Sequence, residues 1–471
     1  MAELRKNAIS LFGAIAATCA FMGPATSVYF NTGLGIQNAG NAIGFALILA
    51  MVATFFIAFV IAQFAKQIPT AGFAYTFAVR GLGPKVGFVT GWLLVGGYAM
   101  LAPMLLAAIG YFLAQFLAQI TGISLSWAVY SVIVAALILF LACRGIGVSV
   151  KVAIVMLLVE IVVMMLFFLT VLIHGGGQGI ALTTFNPASA PASGSLNGIG
   201  TAVLWFILMF VGFESAATMG EETRDPKHNI PRALMLCVGG IGIFYLVSAL
   251  AAVTGYGPSH VKDVLGAINK GGNPWDPLFH AFWGHGAGIV VQLVVLNSIF
   301  ANLLAGFNSV IRILYAMGRE RVLPPVLGEV SGRQVPAKAA VLYMALSLAL
   351  TLILGFTWDP MTVYGWAGTV LGLAIVLVYI VICASLFAFY RRRGAEFSWI
   401  KHALVPLIAT LLLLLPLKGV LMSTLPVGGG TAPMTAVPYV VGIWIVFGVL
   451  YSLWLARFRK SVMTGMGRAF E

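Results

Sequence analysis

Two carboxyls stand where carboxyls are costly. Glu160 and Glu214 each lie well inside an apolar run long enough to cross a bilayer. An ionised side chain at bilayer centre costs at least about 2.5–3.5 kcal/mol. Such a group faces a cavity, bonds to a neighbouring helix, or carries a proton, and a carboxyl held away from water is a candidate proton carrier. Two apolar runs also contain helix breakers: Met22-Gly23-Pro24-Ala25-Thr26 and Phe210-Val211-Gly212-Phe213-Glu214-Ser215. Proline inside a helix removes a donor and clashes with the carbonyl four residues earlier. A plain kink would account for either break alone. The spacing argues for more, because the breaks fall in the first and sixth runs, at matching positions of two halves related by inversion. Interrupted helices expose peptide N–H and C=O groups where they line a cavity. A half-helix starting near Ala25 would present N–H groups and a positive dipole end to a carboxylate. Glu214 would suit an amine or a proton. Together they describe a site for a zwitterion or an amine.

Other residues that would line such a site are Tyr98, Asn302 and Phe307, with Phe210 and Phe213 as gates. Each has a structural alternative: a tyrosine bonded to a neighbouring helix, core packing for the phenylalanines, and interhelical hydrogen bonding for Asn297, Asn302 and Asn308. Pro103 reads as a kink. Gly239-Gly240-Ile241-Gly242 reads as close helix packing, with no preceding strand to make it a nucleotide loop. Neither HExxH nor GxSxG occurs, the six histidines lie mostly in loops or at run ends, and the four cysteines are far apart. The reading therefore includes no catalytic residue, metal or cofactor.

The elements that must hold these residues follow from composition. Of 471 residues, 61% are hydrophobic and 8% charged, against roughly 45–50% and 25% in soluble proteins. This excludes a soluble enzyme, a disordered chain and a disulfide scaffold, and leaves an all-α polytopic membrane protein. With about 20 residues per crossing, the chain divides into twelve expected spans: 9–30, 42–63, 86–117, 125–143, 150–174, 197–219, 233–254, 285–316, 338–356, 361–389, 403–422 and 437–456. Arg5 and Lys6 before the first run resemble a signal peptide, but the run continues to Phe30, too long for one. With both termini inside, 23 of the 26 Lys and Arg fall on the cytoplasmic side; Lys262, Lys270 and Lys418 do not. The net charge of +13 thus reads as topology, not nucleic-acid binding. The outer loop 175–196 is rich in Gly, Ser, Ala and Pro, 255–284 is mixed in charge and rich in turn residues, and both are too short for a folded domain.

Three loop segments then become informative. One runs Gly212-Phe213-Glu214-Ser215 to Glu221-Glu222-Thr223-Arg224-Asp225-Pro226-Lys227-His228-Asn229-Ile230-Pro231-Arg232-Ala233. The second holds Pro69-Thr70-Ala71-Gly72-Phe73-Ala74-Tyr75, Gly83-Pro84 and Gly91-Trp92. The third holds Arg312-Ile313-Leu314-Tyr315-Ala316-Met317-Gly318-Arg319, Leu323-Pro324 and Val335-Pro336. Together they resemble the amino acid–polyamine–organocation transporter superfamily, of amino acid permease type. The resemblance implies the leucine-transporter fold. Residues 1–174 (spans 1–5) and 197–389 (spans 6–10) would be inverted repeats, followed by spans 11–12 (403–456) and a cytoplasmic tail (457–471). It implies a substrate site built from Met22, Gly23, Pro24, Ala25, Thr26, Phe210, Val211, Gly212, Phe213 and Glu214, with Tyr98, Asn302 and Phe307 opposite. It places an acidic group at Glu214, as in many members. At Glu160, nine residues after Lys151, some proton-coupled members carry a lysine instead. The span 1 break has fewer glycines than is common and resembles that of putrescine-type importers. Span 8 lacks an adjacent Ser/Thr pair near Asn302, which favours protons over sodium. The expected function is proton-coupled symport of an amino acid or small amine across the cytoplasmic membrane by alternating access. The alternatives are a polyamine importer, an amino acid/amine antiporter, or, in a different class, a channel or sensor.

Overall fold

A computed structural model of the chain describes residues 4–191, 196–270, 272–284, 286–426, 430 and 432–467. Gly271, His285, Arg468 and part of the 175–196 loop (192–195) lie outside these residues. Among the described residues every regular element is helical, apart from one parallel bridge between Ile9 and Thr223.

The first half of the chain forms α1 (Leu11–Met22), α2 (Pro24–Ala39), α3 (Ile43–Ala65), α4 (Ala74–Leu82), α5 (Pro84–Ala99), α6 (Leu101–Thr121), α7 (Trp127–Cys143) and α8 (Ile146–His174). The second half begins with α9 (Leu196–Phe210), α10 (Ser215–Thr218) and α11 (Pro226–Tyr256). The short helices α12 (Val261–Asn269) and α13 (Trp275–Trp283) follow. The long α14 (Ala287–Arg319), α15 (Ala337–Thr357), α16 (Pro360–Arg391), α17 (Val405–Thr424), α18 (Val437–Phe458) and the short α19 (Lys460–Gly465) complete the chain.

Local chemistry explains the boundaries that matter. Ser10 starts α1, its hydroxyl accepting from the Gly13 N–H at 3.2 Å. Gly23 ends it in a left-handed conformation (φ 54°, ψ 66°) and Pro24 opens α2. Glycine adopts that backbone at no steric cost, and proline at a first helical position lacks only a donor that had no partner anyway. Pro24 therefore starts a helix here and does not kink one. Gly83-Pro84 makes the same transition from α4 to α5. Near Pro103 the third span steps at Met100, between α5 and α6.

Ten helical stretches of the described residues are long and apolar enough to cross a membrane. The difference from twelve arises in two places. The expected spans 1 and 2 run together as one 57-residue stretch, Leu11–Gln67, because the link between them, Gly40–Ala42, is itself a helical turn. The expected span 4 is the 17-residue apolar helix α7. Large apolar side chains face outward along whole helices: Val155, Leu158, Val162 and Leu166 on α8, and Ile443, Phe447 and Leu450 on α18. Repeats of three and four residues make continuous stripes, and so much exposed apolar surface fits hydrocarbon, not water. Of the Gly239-Gly240-Ile241-Gly242 run, only Gly242 makes a close packing contact, against Met51 of α3; Gly239 and Gly240 face open space.

Candidate functional site

The two breaks meet in the interior. In the sixth span the helix stops at Phe210, and Val211–Glu214 form turns before α10. Gly212 has φ 113° and lies against Phe21, so close that a Cβ would come within 2.9 Å of the Phe21 backbone. Side chains supply what the broken ladders lack. The Ser27 hydroxyl donates to the Met22 carbonyl (2.7 Å), and the Tyr245 hydroxyl donates to the Met209 carbonyl (2.7 Å).

The half-helix α2 presents its N–H groups as expected, but they are already engaged. Ala25 N–H donates to Glu160 Oε2 at 3.1 Å, and Thr26 N–H donates to Ser298 Oγ at 3.0 Å. Glu160, from α8, is 0% exposed. It sits where a carboxylate gains from both the donor and the helix dipole. Glu160 Oε1 has no hydrogen-bond partner. Glu214 is also 0% exposed. Its Oε1 accepts from the Tyr98 hydroxyl at 2.5 Å, and its Oε2 accepts from the Gly212 N–H at 3.0 Å. The Glu214 carboxyl thus caps the break it belongs to.

A cavity of about 40 Å³ lies between the breaks. Of the residues singled out in the sequence, Met22, Thr26, Val211 and Asn302 line it. Gly23, Pro24, Ala25, Tyr98, Phe210, Gly212, Phe213, Glu214 and Phe307 are not among its lining residues. Gly23 packs against Asn302, Phe307 stacks on Tyr343 (5.2 Å), Phe210 packs on Tyr245 (5.2 Å), and Phe213 on Tyr379 (5.8 Å). Asn297 and Asn308 bond to backbone carbonyls, of Met156 and Leu304, both at 2.8 Å. Ser27, Asn31, Trp205 and Tyr364 join the wall without having been anticipated, as do apolar residues including Phe21, Leu101, Met104 and Leu208. Two wall atoms, Thr26 Oγ1 and Asn302 Oδ1, are buried without hydrogen-bond partners. Unpaired buried acceptors are costly, and they are what an ammonium or amide donor would satisfy. Among the described residues none of those lining this cavity is charged.

Polar contacts tie the elements together at both ends of the bundle. At the end where Ile9 and Gly467 lie, Arg312 of α14 pairs with Glu222 in a fully buried contact, and Arg319 pairs with Glu221 at 2.9 Å. Ile9 N–H donates to the Glu222 carbonyl (3.0 Å), and Arg224 N–H to the Ile9 carbonyl (2.9 Å). Nearby, Tyr75 and the Gly467 N–H both donate to Glu320, whose carboxyl burial holds above its ordinary range. At the opposite end the Tyr29 hydroxyl donates to Asp276 of α13 (2.9 Å), and burial raises that carboxyl too. The Glu221-Glu222 and Arg312/Arg319 signal was available in sequence, since arginines seven apart share a helix face.

Interrupted helices meeting at a buried polar cavity inside an apolar bundle define a multi-pass membrane protein of the transporter class. Residues 17–462 match the amino acid permease family, and the chain belongs to it, within the amino acid–polyamine–organocation superfamily. It is 22% identical over 392 residues to the branched-chain amino acid permease BcaP of Lactococcus lactis subsp. cremoris, covering 79% of each chain. It is 22% identical over 383 residues to the amino-acid permease RocC of Bacillus subtilis, covering 79% of this chain and 78% of that one. It is 28% identical over 336 residues to the vacuolar cationic amino acid transporter 2 of Arabidopsis thaliana, covering 65% of this chain and 48% of that one. These are transporters, not enzymes.

Proposed function

We propose that the chain is a proton-coupled permease for neutral amino acids with apolar side chains, working by alternating access in the cytoplasmic membrane. The observation that carries this is the uncharged cavity between the two breaks, with two unpaired acceptors, Thr26 Oγ1 and Asn302 Oδ1, in a lining that is otherwise largely apolar. Thr26 Oγ1 and Asn302 Oδ1 would take the substrate ammonium, the Ala25 N–H its carboxylate, and Phe21, Met104 and Leu208 its side chain. A polyamine or a cationic amino acid would leave its second charge without a partner in that wall, at a cost of several kcal/mol on the order of a buried unpaired ion. The similarity to branched-chain permeases agrees with an apolar substrate. On this reading the 57-residue stretch counts as two crossings and α7 as one, making twelve spans, and residues 1–174 and 197–389 would be inverted repeats with both termini cytoplasmic. Protons enter through competition: the Ala25 N–H holds Glu160 while that carboxyl is ionised, and is released to the substrate carboxylate when it is protonated.

The test is uptake into proteoliposomes of labelled leucine under an imposed pH gradient, with competition by isoleucine, valine, lysine, arginine and putrescine. Apolar amino acids are expected to compete and the cations not to. Thr26→Val and Asn302→Leu each remove an acceptor and are expected to raise KM about 2- to 12-fold, the equivalent of about 0.5–1.5 kcal/mol per hydrogen bond. Competition by putrescine or arginine in preference to leucine would refute the assignment.

A further inference from the structure

We propose that the end of the molecule carrying both termini has a second binding site, for a phosphate-bearing anion. A cavity of about 740 Å³ opens there, far larger than the one between the breaks. Six cations from four stretches of chain line it: Arg5 and Lys6 before α1, Arg144 and Lys151 around the α7–α8 turn, Arg224 before α11, and Arg333 before α15. Among the described residues no Asp or Glu lines it. Cations that serve only to orient a membrane protein can lie anywhere on the loops of one face. Here they converge, and all six are exposed. Converging like charges repel, and an anion between them removes the repulsion. All four stretches supply an arginine, whose planar fork suits phosphate oxygens. The cavity also meets the N-terminal end of α8: Gly145, the residue before its first turn, and Gly147 are part of the wall. That end adds a positive dipole and peptide donors. The Arg144 guanidinium is held over the Phe140 ring at 4.5 Å, which keeps it at the cavity mouth.

The walls of this cavity belong to the closure of the same end. Arg224 Nε donates to the Asn7 carbonyl at 3.0 Å, next to the Ile9–Thr223 bridge. An anion spanning Arg5, Arg144 and Arg333 would tie the start of α1 to α8 and to the α14–α15 connection, and so favour the state closed at this end. The phosphate has two possible sources, the headgroup of an anionic phospholipid or a soluble phosphate compound, with one shared recognition chemistry.

The experiment uses the full chain purified in detergent, and its readout is binding, independent of transport. Inorganic pyrophosphate is titrated against wild type, Arg144→Gln/Arg333→Gln, the charge-keeping Arg144→Lys/Arg333→Lys, and a control, Arg391→Gln/Arg392→Gln. In parallel, each protein from mixed phosphatidylglycerol/phosphatidylcholine vesicles is examined by native mass spectrometry for retained lipid. For a soluble source, pyrophosphate binds wild type and control alike and about a hundredfold more weakly to the Gln pair, as expected for loss of two charged hydrogen-bonding groups worth about 1.5 kcal/mol each. The Lys pair falls between. For a lipid source, pyrophosphate binds poorly to all, and phosphatidylglycerol is retained by wild type and control but lost from the Gln pair. Equal pyrophosphate affinity together with equal lipid retention in all four proteins, or equal losses in the control and the Gln pair, would overturn the proposal.

Discussion

A single peptide N–H cannot serve two carboxylates at once. Under the proposed coupling, that constraint would give Glu160 its role, because its Oε2 occupies the Ala25 donor at 3.1 Å. An ionised carboxylate accepts about twice as strongly as a neutral group. As pH falls and Glu160 takes up a proton, its hold on Ala25 weakens and the substrate carboxylate can replace it. Substrate affinity should therefore rise as pH falls. Glu160→Gln fixes the neutral form, so its affinity should be independent of pH, exchange should persist, and accumulation driven by a pH gradient should fail. Calorimetric titration across the pH range, together with counterflow and net-uptake assays, checks this; a variant whose affinity follows the wild-type pH curve would exclude Glu160 as the coupling group. Both Glu160 and Glu214 stood out in the sequence because an acid in an apolar run is costly. What each one touches was not legible. Nothing in a sequence says that Glu214 bends back to its own Gly212 N–H, or that a serine 272 positions from Thr26 takes the next donor.

At the scale of elements, the sequence signals were of two kinds. Gly23-Pro24 states both where one helix ends and where the next begins, and the transition occurs there; Gly83-Pro84, read from sequence only as part of a loop, makes a similar transition after the helix α4. Spans 1 and 2 blurred because their link carries no charge or proline and folds as a helical turn. The residues that cap the breaks, Ser27 and Tyr245, were silent, since a lone serine in a membrane helix bonds its own backbone just as readily and a buried tyrosine hydroxyl can find its partner on any neighbouring helix. Gly212 is the element-scale position most open to test. Its φ of 113° and its contact with Phe21 leave no place for a side chain. Gly212→Ala should destabilise the protein by about 1–3 kcal/mol, the cost of forcing an L residue into such a backbone, and abolish uptake. Gly442→Ala, inside α18 with open space around it, should be neutral or stabilising by about 0.5–1 kcal/mol. Thermal unfolding of both in detergent gives the comparison, and equal midpoints would mean that the sixth span accommodates a continuous helix.

For the whole molecule, the alternating access proposed above would require closures that open in turn, each weak enough to break and specific enough to re-form. The buried Arg312–Glu222 pair is the strongest candidate for such a closure, because it joins α14 to the segment after the sixth-span break and lies beside the small cavity lined by Ala17, Ser215 and Asn308. Removing one partner leaves an uncompensated buried charge, at about 3–5 kcal/mol. Arg312→Ala and Glu222→Ala should therefore each lower the unfolding midpoint, and the double variant should recover much of the loss, a coupling that a double-mutant cycle measures directly. Stability alone would not distinguish a closure from a structural strut. The two part at access. If the pair is a closure, its removal shifts the population toward the state open at that end, since a conformational equilibrium moves by the free energy that distinguished its two states. In a background without the four native cysteines, Ala17→Cys should then react faster with a membrane-impermeant thiol reagent in the double variant than with the pair intact. An unchanged labelling rate alongside a measured coupling would make the pair a brace, and the closing of that end would have to rest on Arg319–Glu221 and the Ile9–Thr223 bridge instead.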